Sequence, residues 1–246
     1  MKRLAVIALL FASVHAAAQC TPALNDASLD VVSHGLWRGI DLGGRIFAEP
    51  RVEAGLCGRP ATTVGTRGAD LTIEGWVPLS SGGTDLGSAR ARYLWYFGEL
   101  KETSIAAGIR ESHWGDSGPD PWTTELSFEA RKRIAVESQG FRAFSFVEVA
   151  RDLNRFEATY ARVGIDHEVG GANLPFQVAA TLYGSVSDYA GDFGFHDAQL
   201  SAWALRRMGA GGKVRLGVGG GYDRVSRDIG RSRAWAGVTV RLRNDT

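Results

Sequence analysis

Runs in which every second residue is uncharged constrain this chain more than any other feature. In RIFAEPRVEAGL, residues 45–56, Ile46, Ala48, Pro50, Val52, Ala54 and Leu56 carry no charge, while Arg45, Glu49, Arg51 and Glu53 fall on the alternate positions. Successive side chains of a strand point to opposite faces, so such a run has one apolar face and one ionic face. The pattern recurs in GADLTIEGWVPL, ARARYLWYF and HDAQLSAWALRR, then in runs carrying Val214, Leu216, Val218, Gly220 and Tyr222, and Ala234, Ala236, Val238, Val240 and Leu242. These six runs place 31 residues on the apolar side without one charge. At the chain's composition, random placement would put about seven charges there.

Turn-forming stretches such as SSGGTDLGS, SHWGDSGPDP, HEVGGANLP and SVSDYAGDFG separate the runs, as hairpin connections should. Twelve strands are expected between Ser28 and Leu242, with the alternation less regular in those near residues 103–111, 122–131, 142–151 and 155–166. The repeat of roughly 18 residues per strand and loop suits tilted spanning strands of about 9 to 11 residues. Pro50 lacks a ladder donor and is expected to mark a bulge in the second strand.

The chain's beginning points to export. Lys2 and Arg3 precede the apolar run Leu4 to Val14, and Ala16-Ala17-Ala18 offers a cleavage site. Residues 1–18 are therefore expected to be a removed signal peptide, and residues 19–246 one β-barrel domain. Cys20 follows Gln19 rather than a small residue, which argues against a lipid anchor. Cys20 and Cys57 are the only cysteines; an oxidising compartment allows a disulfide between them, and two thiols are the alternative. Removing Lys2 and Arg3 leaves 26 basic against 27 acidic residues, a balance that argues against nucleic acid as a partner.

A soluble sandwich also alternates, with its apolar face inside. Exclusion of charge from one face, the even strand count and aromatics near strand ends (Trp37, Trp76, Trp95, Phe97, Trp114, Trp122 and Trp235) favour an all-β, antiparallel transmembrane barrel instead. The abundance of Ala and Gly on the apolar face keeps the soluble alternative open. With an export signal and no other apolar segment long enough for a helix, the expected place is the outer membrane of a diderm bacterium, with both termini in the periplasm. Lipid and lipopolysaccharide would then surround the barrel.

The stretch DVVSHGLWRGIDLGG, residues 30–44, with Trp37-Arg38-Gly39-Ile40 at its centre, resembles the opening strand and first turn of the TorF-like family of bacterial outer-membrane porins. A weaker likeness continues through YFGELKETSIAAGIRESHW, TTELSFEA and VARDLNRFEATYARVGIDHEV. The resemblance implies an outer-membrane barrel with a channel role. One departure is the end of the chain: the alternation closes at Leu242, followed by RNDT, where many such barrels finish on an aromatic residue read by the outer-membrane assembly machinery.

Alternation places Glu49, Arg51, Glu53, Asp70, Glu74, Arg90, Arg92, Arg110, Glu125, Glu129, Arg131, Arg162, Asp166, Arg215, Arg233 and Arg241 inside. Like-charged rings set a pore's field, so this mixture of signs predicts weak selectivity for small polar solutes. Arg38, Arg90 and Arg92 are the constriction candidates, with Glu49, Arg51, Glu53, Glu74 and Arg110 lining the path. Eight strands are just filled by side chains and sixteen leave an aqueous channel; twelve lies between, so a barrel closed by cross-strand ion pairs, structural or adhesive in role, is the alternative. A barrel hydrolase is a third reading. It would draw on His34, His113, His167 or His196, but no nucleophile elbow, zinc-spaced histidine pair or phosphate loop accompanies them, and no cofactor or metal is implied.

Overall fold

Alternation becomes backbone in the computed structural model, which describes residues 23–34, 36–37, 40–41, 46–55, 69–76, 79–80, 86–97, 103–114, 121–134, 141–170, 176–208, 213–227 and 230–243. The strands are β1 (Ala23–Val32), β2 (Leu36–Trp37), β3 (Ile40–Asp41), β4 (Phe47–Gly55), β5 (Ala69–Trp76), β6 (Leu79–Ser80), β7 (Leu86–Phe97) and β8 (Thr103–Trp114). They continue with β9 (Trp122–Arg133), β10 (Phe141–Asp152), β11 (Thr159–Val169), β12 (Phe176–Ser187), β13 (Gly194–Met208), β14 (Val214–Val225) and β15 (Arg233–Arg243). Among the described residues no helix is long and apolar enough to cross a membrane.

β2 and β3 form a separate two-residue hairpin. β5 and β6 meet β4 in one continuous register, Arg51↔Trp76 and then Ala48↔Leu79, so they act as a single wall strand. Each remaining strand pairs antiparallel with its neighbour in the chain, and β1 pairs with β15 on one edge and β4 on the other. The described ladder thus returns on itself as a ring of twelve wall strands, the number expected from the sequence. An even ring brings the first and last strands to one rim, where Asp26 faces Arg243. A wall strand of 12 residues, such as β9, spans about 40 Å, and a tilt near 45° reduces this to about 28 Å, the thickness of a bilayer's hydrocarbon core.

The two faces are inverted relative to a soluble protein. On β9, Thr123, Glu125, Ser127 and Glu129 are buried, whereas Trp122, Leu126 and Phe128 are exposed. The same parity leaves Val163 63% and Val218 62% exposed while Arg90, Glu148 and Arg215 lie at 5% or less. Water would meet a continuous apolar girdle on such a surface, a cost that only hydrocarbon removes. Outward aromatics frame the girdle: Tyr93, Trp95, Phe97 and Phe176 near the rim holding the termini, and Trp122, Phe195 and Tyr222 near the other.

Three local expectations change. Trp114 and Trp235 do not join the rims; they share the parity of Arg110 and Arg233 and turn inward, where Trp114 packs with Val32 and Phe47 and Trp235 lies against that cluster. Pro50 sits opposite Leu29 in unbroken register, and the shift in this ladder falls between Leu24 and Asp26 of β1. β11 starts at Thr159 because the Asp152 carboxylate accepts the backbone N–H groups of Asn154, Arg155 and Phe156 at 3.0 to 3.2 Å, holding residues 153–158 in a tight turn. Glu157 completes that turn at φ 49°.

Candidate functional site in the barrel lumen

Parity sends Arg90 and Arg92 of β7 into the lumen, and the neighbouring strand lets them reach far. Arg92 stands opposite Gly108 of β8, which stands opposite Ser127 of β9. A Cβ at Gly108 would lie 3.0 Å from Arg92 Cγ and 3.2 Å from Ser127 Oγ, so the missing side chain is the gap through which the β7 arginines cross β8. Arg90 Nη2 donates to Ser127 Oγ and to Glu148 Oε1, both at 2.9 Å. Arg92 Nη2 donates to Glu53 Oε2 at 3.1 Å, and its Nη1 lies 3.8 Å from Glu129 Oε2.

Glu129 and Glu148 face each other directly in the β9–β10 ladder, an arrangement that repels unless cations intervene. Arg90 and Arg92 approach from one side; Arg162 donates to Glu148 Oε2 at 2.6 Å from the other. Arg131 stands 3.9 Å from Glu129 and pairs with Asp166, which also accepts the Thr181 hydroxyl at 2.9 Å. Arg110 lies 3.6 Å from Glu125. Together these pairs form a belt of alternating charge across the wall from β4 to β11.

The opposite wall has a different character. Gly217, Gly219 and Gly221 of β14 face inward, and two indoles lie over them. A Cβ on Gly219 would come within 2.5 Å of the Trp203 ring, and one on Gly221 within 2.8 Å of the Trp235 ring. The ring centroids are 5.5 Å apart. The Arg241 guanidinium sits 5.4 Å from the Trp203 centroid, and its Nε lies 3.4 Å from Thr239 Oγ1.

Both walls enclose one cavity of about 550 Å³. It reaches from Asp26, near the rim with the termini, to Val32 and His34 near the other. Seven arginines and seven carboxylates line it. Beyond it, toward the second rim, the interior is packed: Tyr160, His196, Asp197 and Asp223 are buried to 1% or less. Asp197 accepts the Tyr183 hydroxyl at 2.9 Å, and neither carboxylate oxygen of Asp223 has a hydrogen-bond partner among the described residues.

Of the residues singled out from the sequence, Arg90, Arg92, Arg110, Glu49, Arg51 and Glu53 all line this cavity. Glu74 occupies the register position opposite both Glu53 and Arg90, and its side chain is not described. Arg38, Cys20 and Cys57 lie outside the described residues. The histidines are dispersed: His34 lines the cavity, His113 packs on Trp122 and His167 on Phe141, and His196 is fully buried with Nδ1 2.6 Å from Ser187 Oγ. Among the described residues no group of three or more His, Cys, Asp or Glu side chains could hold a metal ion. Sequence reasoning missed Glu148, although the alternation of FSFVEVA already set Phe144, Phe146 and Glu148 against Val147 and Val149. It also left the Trp203–Trp235 platform unnoticed, because those rings meet over a third strand.

Solved structures share this architecture. A KdgM porin in complex with disordered oligogalacturonate superposes with a TM-score of 0.51 at 12% identity, covering 90% of this chain and 99% of that one. A bacterial polysaccharide outer membrane secretin gives 0.53 at 9% identity, covering 89% and 98%. A second KdgM porin structure gives 0.50 at 10%, covering 90% and 99%. No family model and no curated protein matches the chain. The fold is that of an outer-membrane β-barrel.

Proposed function

We propose that this protein is a passive outer-membrane channel for small polar solutes, with weak charge selectivity. The observation that carries the reading is the cavity itself, which extends along the barrel and is lined by equal numbers of arginines and carboxylates. Equal opposite charges give a hydrated path without a dominant field, so neither anions nor cations are strongly favoured. Arg90 and Arg92 form its constriction in this reading, with Glu49, Arg51, Glu53, Glu74 and Arg110 around them. The porin fold of the similar structures supports solute passage, and the likeness of residues 30–44 to the TorF-like porins points the same way. Export through a cleaved signal peptide, insertion by the outer-membrane assembly machinery and contact with lipopolysaccharide complete the picture.

Planar-bilayer recording of the refolded protein tests it. Discrete conductance steps with a small zero-current potential in a KCl gradient are expected. A folded barrel that stays silent would favour a closed barrel, a reading to which the ion-pair belt and the packed Tyr160–His196 end lend support.

A further inference from the structure

We infer that the lumen binds linear oligosaccharides, with Trp203 and Trp235 forming the surface on which a sugar ring stacks. The inference rests on the channel reading above and names a solute class for it.

Two half-buried indoles lining a cavity otherwise rich in arginines and carboxylates need an explanation. Packing supplies part of it, since both rings lie against the small cluster of Val32, Phe47 and Trp114. Packing alone would be met by any bulky apolar side chain, and it does not account for the floor beneath the rings. Gly219 and Gly221 leave space that any Cβ would fill, and that space lets both rings lie back against the wall. Set there, they border the path as a shelf of two tilted planes 42° apart instead of projecting across it.

Directly across the ring of twelve strands from β14 is β8, where the arginines of β7 cross toward β9 and β10. A solute between the walls therefore meets an apolar plane on one side and a dense field of donors and acceptors on the other. A pyranose ring has that division: its axial C–H bonds present an apolar face, and its equatorial hydroxyls form a polar edge that both donates and accepts. Aromatic faces suit the first, and guanidinium and carboxylate groups suit the second. Arg241 lies on the indole side: its guanidinium rests over Trp203, has no ion-pair partner among the described residues, and must yield that face to a sugar ring that stacks there. A simple inorganic ion would gain nothing from the indoles, and a wholly apolar solute would leave the charged wall unsolvated.

The test combines current recording with direct binding, using maltohexaose as the probe. In bilayers the wild-type channel is expected to show sugar-induced blockades, and Trp203→Ala and Trp235→Ala, each confirmed folded by heat-modifiable migration, should weaken the block at least ten-fold. Saturation-transfer NMR of maltohexaose with the detergent-solubilised barrel should show contact that both variants lose. Conducting wild-type protein that maltohexaose neither blocks nor contacts would overturn the inference and leave the channel standing, as would block and contact unchanged by either substitution. A silent barrel that still binds the sugar through its tryptophans would sustain the inference and overturn the channel; a silent barrel with no contact overturns both.

Discussion

Gly108 shows how much of the lumen is decided by one absent side chain. A Cβ there would meet the Ala91 carbonyl oxygen at 2.8 Å as well as Arg92 and Ser127, so Gly108→Val should push Arg92 off the wall. Overpacking of this kind costs about 1 to 3 kcal/mol. Equilibrium urea unfolding from lipid vesicles should register that loss, and single-channel conductance should fall as the guanidinium enters the path. Arg90 tests the charge belt instead. It is 5% exposed, and removing it leaves Glu148 held by Arg162 and Glu129 still near Arg92 and Arg131. Arg90→Ala should therefore cost only about 1 to 3 kcal/mol. Its larger effect is on the field: one positive charge fewer makes the lumen net negative, so the zero-current potential in a KCl gradient should move toward cation preference. Glu129→Gln should move it the other way. Potentials that fail to separate in opposite directions would mean that these charges lie off the permeation path.

Strands carry the division between lipid and lumen, and a single step of parity should separate large from small effects. Val218 lies mid-way along β14 with its outward face bordered by Ala204 and Val238. An arginine there would sit in hydrocarbon, at a cost of about 2 to 4 kcal/mol. Thr181→Arg, facing inward beside Asp166, should stay within about 1 kcal/mol, because a carboxylate and water await it. Comparing the two variants' unfolding midpoints in vesicles measures the difference, and equal destabilisation would contradict the assignment of faces. This parity was legible in the sequence, since period two assigns every residue of a strand once one is assigned. Arg90, Arg92, Arg110 and Glu53 could be placed inside for that reason. Their partners could not. Arg90 bonds to Ser127 and Glu148, 37 and 58 residues away, and that match depends on the register of three successive ladders as well as on a glycine between them. The turn at 153–158 was hidden for a different reason: the Asp152 carboxylate, a local competitor for backbone N–H groups, ends the ladder six residues before β11 begins.

At the scale of the whole molecule, everything depends on β1 joining β15. Pairing along the chain alone would produce a curved sheet with two open edges, and each edge would leave a row of backbone groups without partners in a solvent that offers none. Closure removes both edges and creates the lumen in the same step. The ladder runs from Asp26↔Arg243 to Val32↔Gly237 and is anchored at its far end by Ser33, whose backbone N–H donates to the Ala236 carbonyl at 2.8 Å. Thr239 adds a side-chain bond to Asp30 across the same seam. Within this register Leu29 lies opposite Val240, both on the lipid face, so cysteines at the two positions have Cβ atoms about 4.5 to 5.5 Å apart. That is near disulfide range, whereas Leu29 and Val238 are diagonal neighbours at about 7 to 8 Å. In a background with Cys20 and Cys57 replaced by serine, Leu29→Cys with Val240→Cys should cross-link efficiently under mild oxidation, and Leu29→Cys with Val238→Cys should not. The cross-link closes a loop of most of the chain, so the oxidised barrel should also resist heat unfolding better than its reduced form, by up to about 5 kcal/mol in the chain-entropy limit. Equal cross-linking of both pairs would mean a seam that slips; no cross-linking of either would mean an open sheet, and an open sheet in a bilayer has no lumen through which a solute could pass.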